Sequence, residues 1–528
     1  MSRKLALFVS LLLLTQTLFV LPAKSDQDQS AYALRTEGAH LVNNQGERVH
    51  LHGVCFNNFI DSSTGWFPGG EYSKWDEGAV VNNLKTLASW GCNFLACAVW
   101  YDWFYRNAKD SLSGPGTTDT GCRDAIKQLI ELAYDYGIYI GVGLYGISPS
   151  SSGSTAQYVV EHPDEYVDFW LTLSKTLRGY PNVIYAIITE VSQNEATMNS
   201  YFQVVAQAIQ TIRADGDEHI VMYHEDSCEH PIRFNKPATQ GGEAIRKLHE
   251  NASNIVYDAH TYRWHGTFGG NPDYFDPGSA QVTNSDGVHQ KQDILDVFAY
   301  WGYLKIISEY KVPIIMWEGG ANNAVSPPNS WEKEITCWQN VLSIFNELDI
   351  GYGAFWWRTS GPWALINNDL SPTEWGQALK DAIAARPPDI TNVSQTPPEN
   401  NVKPEDEVKV NATVNDISGV KRVVLNYTYA NSNGKWSQTI DMTNLGGNVW
   451  NAKIPAFAYG TNVTYLIIAT DEANNTITTE EMECKYQYEV VPEFPSFLVL
   501  LIFMTGTLLA VALLKKRKYP FSRAKSVE

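Results

Sequence analysis

The chain has 528 residues and a formal net charge of −19 at pH 7, from 58 acidic and 39 basic residues. Such an acidic surface repels nucleic acid and other anionic polymers, which excludes them as partners and favours a neutral or cationic one. The seven cysteines include no closely spaced pair and no histidine at ligand spacing, so no zinc site, other metal or cofactor is predicted. No specific disulfide is predicted, and Cys55, Cys92 and Cys97 are equally compatible with buried free thiols.

Residues 1–25 are predicted to be a secretory signal peptide. Positive charge near the start is followed by an apolar run from Leu5 to Leu21, and small residues stand at Ala23 and Ser25. This order of features is typical of a signal that is cleaved after Ser25. The mature chain is therefore expected outside the cytoplasm.

Residues 26–387 are predicted to form a (β/α)8 TIM barrel. From about Tyr32 to Arg386, short apolar runs alternate with amphipathic helical segments, as in a parallel barrel. The eight predicted strands are Val49–Val54, Asn93–Val99, Tyr139–Leu144, Ile184–Glu190, Ile220–His224, Ile255–His260, Pro313–Glu318 and Tyr352–Trp356. The predicted helices include Ala79–Trp90, Asp124–Tyr136, Met198–Arg213 and Trp331–Leu348.

Residues 388–490 are predicted to form a small all-β sandwich behind a stiff linker. The helical pattern stops at Pro387-Pro388, beyond which the sequence is rich in Thr, Val and Asn with alternating polarity. Asn433-Gly434 is a hairpin signal between two such runs. The ending Tyr465–Thr476 resembles the last strands of the immunoglobulin-like or fibronectin-like modules of secreted microbial proteins, and nothing in it looks catalytic.

Residues 491–514 are predicted to be a membrane anchor and residues 515–528 a basic cytoplasmic tail. Phe497–Leu514 is uncharged over 18 residues, long enough to span a bilayer, and four basic residues follow at once. A buried core helix is the alternative, but no polar face exists along the segment. We therefore expect a single-pass protein of the cell membrane with an extracellular ectodomain. Val491–Pro495 resembles the tail signal of archaeal surface proteins that a sorting enzyme processes.

Two glutamates, Glu190 and Glu318, each close an apolar run that is typical of a buried strand. The carboxyl ends of barrel strands meet at one mouth, so both side chains are expected to face the same pocket. Two such acids are the minimum machinery for hydrolysing a glycosidic bond. Without its two ends the chain holds 30 basic and 57 acidic residues, a net charge of −27, which fits a neutral polysaccharide or oligosaccharide as partner. The alternative is that each glutamate turns into solvent.

The barrel region resembles the cellulase-like glycoside hydrolases of family five and their clan A relatives. Leu41–Val54 resembles the first hairpin and first strand of that family. The resemblance continues in register at Gly91-Cys92-Asn93, Thr189-Glu190, His260-Thr261-Tyr262, Trp317-Glu318-Gly319 and Phe355-Trp356-Trp357. It implies a retaining β-glycosidase.

The resemblance implies that Glu190 is the acid/base and Glu318 the nucleophile, with the two carboxyls about 5 Å apart. Glu190 then needs its protonated form favoured, while Glu318 must stay ionised to attack the anomeric carbon. The resemblance also implies that Tyr262 hydrogen-bonds Glu318 and that His260 lines the adjacent subsite. Both could equally be structural groups near strand ends.

The sequence departs from the family at three positions. The arginine of the second strand aligns with Ala96, the histidine of the third strand falls near Tyr145, and the asparagine before the acid/base is Thr189. A threonine hydroxyl can donate one hydrogen bond to sugar but reaches less far than an amide. These changes predict a divergent subfamily with altered subsites. They leave open a catalytically impaired barrel that binds glycans or mediates adhesion, or a structural surface component.

Aromatic side chains concentrate where the barrel loops are expected. Sugar rings present flat C–H faces that stack on such rings, and Trp100 follows the second strand in this pattern. Trp356 is predicted to be the floor of the subsite for the reacting sugar, with Trp357 as the alternative if the register slips by one. Core packing is the alternative for any of these rings.

Overall fold

The computed structural model describes residues 32–56, 76–100, 122–145, 155–187, 195–223, 252–261, 290–323, 331–482, 484–492 and 496–518. The chain divides into two compact units that meet in sequence between Arg386 and Pro387. The first unit alternates strands and helices, and the second consists mainly of antiparallel strands.

A short antiparallel hairpin opens the first unit, formed by β1 (Leu34–Glu37) and β2 (His40–Asn43). Eight strands follow: β3 (His52–Phe56), β4 (Phe94–Trp100), β5 (Tyr139–Tyr145), β6 (Val183–Ala186), β7 (Val221–Tyr223), β8 (Ile255–Thr261), β9 (Ile314–Gly319) and β10 (Gly351–Phe355). The helices among and after them are α1 (Glu77–Ser89), α2 (Cys122–Asp135), α3 (Thr155–Glu161), α4 (Pro163–Leu177), α5 (Glu195–Ala214), α6 (Lys291–Trp301), α7 (Tyr303–Lys305), α8 (Trp331–Glu347) and α9 (Glu374–Ala384). A π-helical turn, Ile306–Tyr310, follows α7.

The eight strands are parallel and close into a barrel in chain order, with β10 paired to β3. This confirms the predicted parallel (β/α)8 barrel. The first strand begins later than expected because the N–H of Val49 bonds to the carbonyl of Leu41 in the preceding hairpin. The fourth strand, expected to reach Glu190, ends at Ala186, and Thr189 and Glu190 lie outside the described residues. Cys55, Cys92 and Cys97 are buried free thiols.

The ring of Trp317 crosses the inside of the barrel. It extends from β9 to β5, the seventh and third strands of the closed barrel, which lie opposite each other. A Cβ atom at Gly143 would lie 2.6 Å from this ring, and one at Gly141 would lie 2.7 Å from it. Both positions therefore need glycine, because only a residue without a side chain allows this approach. Phe94 packs edge-on against Trp317, with ring centroids 6.5 Å apart.

Two buried histidines, His50 and His52, occupy the N-terminal end of the barrel. His52 Nε2 lies 3.0 Å from the carbonyl oxygen of Gly91, and its Nδ1 lies 3.3 Å from Nδ1 of His50. His52 Nδ1 also lies 3.0 Å from the carbonyl oxygen of His50, so a neutral His52 can donate to only one of its two carbonyl neighbours. Burial, and then the charge of Arg386, lowers the pKa of His52 to about 3 and the pKa of His50 well below its usual value.

Because these two buried histidines resist protonation in the folded protein, we expect the free energy of unfolding to fall at acidic pH. The unfolded chain protonates its histidines below about pH 6.5, whereas folded His52 stays neutral until about pH 3. Its contribution to stability is thus complete above pH 6.5 and declines by about 1.4 kcal/mol per pH unit as the pH falls towards 3. Urea unfolding at pH 6.5 and pH 5 should show a smaller loss of stability in His52→Gln than in the wild type. Equal losses in both proteins would contradict this assignment.

The second unit contains two antiparallel sheets around one hydrophobic core. The first sheet has the order β11 (Asp389–Thr396), β12 (Val408–Asn415), β16 (Val449–Ile454), β15 (Thr443–Asn444). The second has the order β14 (Gly434–Asp441), β13 (Val420–Asn431), β17 (Asn462–Asp471), β18 (Thr476–Thr478), and β19 (Tyr486–Glu489) also pairs with β17. Alternate valines of β12, such as Val408 and Val410, face the core and their neighbours do not. The expected hairpin forms, but its turn is Ser432-Asn433 and Gly434 already belongs to β14.

The last helix, α10, extends from Ser496 to Lys518. Its side chains are described from Leu501 to Leu514 and are exposed over that range. Among the residues that the structure describes, no helix is long and apolar enough to cross a membrane. The membrane span expected at 497–514 is therefore not confirmed.

Candidate active site

Glu318 lies near the carboxyl end of β9, and only 7% of its surface is exposed. Trp317 faces the lumen, so simple alternation along the strand would send Glu318 outward to the helices. The pairing with β8 is irregular at this point. Ala259 is opposite Met316, but the next residue, His260, is opposite Glu318, so Trp317 is an extra residue in β9. This bulge brings Glu318 to the same face of the sheet as His260.

His260 lies between two acidic side chains inside the barrel mouth. Val256 belongs to the lumen cluster, so Asp258 and His260, two and four residues later on β8, face the lumen as well. Nδ1 of His260 is 3.5 Å from Oε1 of Glu318, and its Nε2 is 3.7 Å from Oδ2 of Asp258. The second oxygen of Asp258, Oδ1, accepts a hydrogen bond of 3.2 Å from the backbone N–H of Trp317.

These contacts form a buried row of carboxylate, imidazole and carboxylate. Asp258 and His260 are 0% and 2% exposed, so water screens little of their charge. The ring lies within ion-pair distance of one oxygen of each carboxylate. The arrangement can therefore present Glu318 as a fixed anion, the state that a nucleophile requires. Within the described ranges, no group of three or more metal-binding side chains could hold a metal ion.

Ala96, which aligns with the arginine of the family, is fully buried in the lumen. It is opposite Cys55 on β3 and Gly141 on β5. A Cβ atom at Gly353 would lie 3.4 Å from Cβ of Ala96 and 3.5 Å from the ring of Phe94, so Ala96 lies in a closely packed part of the lumen.

Trp356 and Trp357 have different surroundings. Trp357 is fully buried, its Nε1 donates to Asn83 Oδ1 at 2.8 Å, and its ring packs edge-on against Trp90 at 5.2 Å. The prediction that Trp357 could form the floor of the sugar subsite is wrong, because a ring buried against α1 cannot reach a substrate. The peptide bond that joins Phe355 to Trp356 is cis.

Trp356 is partly exposed, as a sugar-binding ring must be. Its Nε1 is buried and has no hydrogen-bond partner among the described residues. Its ring stacks on Phe355 with centroids 4.6 Å apart, and the guanidinium of Arg358 lies 4.2 Å from its centroid. Both neighbours cover ring surface that a stacked sugar would need.

The other predicted site residues are only partly described. Thr189, Glu190 and Tyr262 lie outside the described residues. Trp100 and Tyr145 are opposite each other at the ends of β4 and β5, and nothing beyond this backbone pairing is described for them. The structure thus brings together Glu318 and His260 from the predicted set, and it leaves the separation of the two glutamates as a prediction.

Asp258 is the residue of this site that the sequence reasoning did not single out. It is an acid in the middle of the apolar run Ile255-Val-Tyr-Asp-Ala-His260, two residues before His260. Residues two apart in a strand share a face, so this spacing was the available signal. The bulge at Trp317 left no comparable signal, because nothing in the sequence of β9 marks an extra residue.

Comparisons with known proteins bear on the barrel unit. The sequence profile described as Cellulase (glycosyl hydrolase family 5) matches residues 42–361, more than half of the chain. Endoglucanase A of Evansella cellulosilytica is 26% identical over 151 residues, which cover 26% of this chain and 30% of that protein. This match therefore spans less than a third of the relative's length.

Solved structures with a similar arrangement include several cellulases. An endocellulase from Pyrococcus horikoshii, in complex with cellotetraose, has a TM-score of 0.46 and 14% identity over 66% of this chain and 98% of that chain. A hyperthermostable endocellulase has a TM-score of 0.48 and 17% identity over 66% of this chain and 98% of that chain. The profile match is what assigns the family. The chain belongs to the cellulase family of glycoside hydrolases, glycosyl hydrolase family 5.

Proposed function

We propose that the barrel unit hydrolyses β-linked glycans with retention of configuration, using Glu318 as the nucleophile and Glu190 as the acid/base. The observation that carries this proposal is the bulge in β9, which turns a buried glutamate towards His260 inside the barrel mouth. Burying a carboxylate costs free energy, and such groups cluster at functional sites. Membership of a glycoside hydrolase family makes catalysis the expected function of Glu318.

The mechanism has two steps. Glu318 attacks the anomeric carbon and forms a covalent glycosyl-enzyme, while Glu190 protonates the departing oxygen. Glu190 then removes a proton from water, which displaces Glu318 and releases the sugar. Glu190 follows β6 in sequence and Glu318 lies near the end of β9, the fourth and seventh barrel strands, so the two acids can face one pocket.

For the substrate we propose a neutral β-glucan. The acidic chain disfavours anionic polysaccharides, and the relatives named above are an endoglucanase and endocellulases. The competing candidate, a barrel that binds glycans without cleaving them, is motivated by Ala96, which cannot orient the nucleophile as an arginine would.

A substrate screen separates these two functions. The fragment from Asp26 to Pro495 should release reducing sugars from at least one β-glucan among β-glucans, mannans and xylans, and Glu318→Gln should release none. Binding to the same glucan without turnover by either protein would select the glycan-binding function instead.

We also propose that the protein is held at the cell surface by residues 491–514, after removal of the signal at 1–25. The uncharged run Phe497–Leu514 and the basic residues after it support this topology. We propose that the antiparallel unit, which follows the barrel in sequence, is an immunoglobulin-like sandwich. Truncation before Phe497 should release the protein from membranes, and a truncated chain that stays membrane-bound would contradict the anchor.

A further inference from the structure

The pairing of β8 and β9 is irregular at Trp317, whose backbone N–H donates to a side chain of β8. Met316 is opposite Ala259 and Glu318 is opposite the next residue, His260, so the register shifts at Trp317. Oδ1 of Asp258 accepts the N–H of Trp317 at 3.2 Å. Asp258 therefore ties down the residue that creates the bulge, one position before Glu318.

The other oxygen of the same carboxylate faces His260. Oδ2 of Asp258 is 3.7 Å from Nε2 of His260, whose Nδ1 is 3.5 Å from Oε1 of Glu318. With Asp258 fully buried, its charge acts on the imidazole through a medium that screens it poorly. The contact is too long for a hydrogen bond, so Asp258 acts on the ring of His260 through its charge and its volume.

We propose that Asp258 is a positioning residue for the nucleophile: one oxygen holds the bulge at Trp317, and the other places a carboxylate 3.7 Å from the ring of His260. This inference rests on the proposed function, because it assigns Asp258 to the reaction of Glu318. Asp258 itself does not touch the reacting sugar. It acts by fixing the direction in which the Glu318 carboxylate points and by placing its own charge near that carboxylate.

The chain offers a matched control at the opposite end of the barrel. Asp217 is also buried beside a histidine, and its Oδ1 is 2.6 Å from Nδ1 of His219 and accepts the backbone N–H of His219 at 3.0 Å. Asp217 precedes β7 and so lies at the N-terminal end of the strands. Asp217→Asn removes a buried charge next to a histidine, as Asp258→Asn does, but at the end of the barrel remote from Glu318.

The kinetic test compares Asp258→Asn, Asp217→Asn and the wild type as full chains. Asparagine can still accept the N–H of Trp317 but lacks the charge, so Asp258→Asn should lower kcat by about 10- to 100-fold with KM changed less than threefold. An activated 2-fluoro-β-glucoside should label Glu318 more slowly in Asp258→Asn by a similar factor. Asp217→Asn should lower the melting temperature and leave kcat and the labelling rate unchanged. Equal kcat and labelling rates in Asp258→Asn and the wild type would overturn the role of the charge.

A crystal structure of Asp258→Ala tests the geometric half whether or not the protein is active. Without the acceptor, we expect regular pairing of β8 with β9 and a Glu318 carboxylate that no longer lies near His260. An unchanged bulge would overturn the proposal. If Asp258→Ala does not fold, the crystal structure of Asp258→Asn should show His260 rotated away from Glu318, and an unmoved ring would be the contrary result. Wild-type protein that neither turns over glucan nor becomes labelled would instead contradict the proposed function.

Discussion

Glu318→Ala should fold normally and lose glycan hydrolysis by about 10⁴-fold or more, on every substrate. The variant lacks the group that forms the covalent intermediate, so a better leaving group does not help it. Azide or formate can occupy the space that the carboxylate leaves and attack the anomeric carbon directly. Such rescue should give a product of inverted, α configuration, which nuclear magnetic resonance of the azide reaction detects.

The control for Glu318→Ala is a measurement of the melting temperature alongside activity. The Glu318 carboxylate is buried and lies 3.5 Å from His260, so the melting temperature shows whether the fold survives its removal. Loss of activity together with loss of the folded signal would say nothing of catalysis. An intact fold with wild-type turnover would show that Glu318 is not the nucleophile.

Glu190→Ala should fail in a different way. Natural glycans have poor leaving groups that need a proton, so their hydrolysis should fall by about 10²- to 10⁴-fold. Aryl glycosides leave without much protonation, so the first step on them should survive and the glycosyl-enzyme should accumulate. Azide should then speed the second step and yield a β-configured product, because it attacks the intermediate from the side of the lost base.

The contrast between the two variants carries the assignment of roles. A burst of aryl alcohol followed by slow turnover is expected from Glu190→Ala and not from Glu318→Ala, and stopped-flow absorbance distinguishes them. If both variants lose aryl glycosides and glycans equally and neither responds to azide, the acid/base and nucleophile are assigned wrongly.

The barrel could be predicted from the sequence because its signal is repeated. Each strand is a short apolar run bounded by helical periodicity, and eight such runs in a row match only one common architecture. The ends of the strands were predicted less well. Valine is common in strands, yet the N–H of Val49 donates to Leu41 in the preceding hairpin. Periodicity cannot reveal such a contact between segments.

The second unit was only partly predictable for the same reason. β17 alternates clearly between buried and less buried side chains, whereas β11 is rich in Asn, Thr and Ser and most of its side chains are not buried. Its status as a strand comes from pairing with β12 and not from its own pattern. Tertiary context decides such segments.

The candidate site shows the same division between composition and context. Glu318 could be singled out because it is an acid at the end of an apolar run. Nothing in the sequence showed that its neighbour Trp317 is an extra residue of the strand. The direction in which Glu318 points depends on an extra residue in β9, and the burial of Trp357 depends on Asn83 and Trp90, far away in sequence. Both are consequences of packing between elements, so single-strand patterns could not supply them.

The stereochemistry of the first product tests the central claim most directly. Time-resolved proton nuclear magnetic resonance of the wild-type ectodomain acting on a β-glucan oligosaccharide reports the anomer that forms before mutarotation. Two displacements through Glu318 and Glu190, with carboxyls about 5 Å apart, predict that the β anomer appears first. The α anomer appearing first would mean a single displacement with widely separated acids, and it would contradict the assignment of Glu318 as a nucleophile.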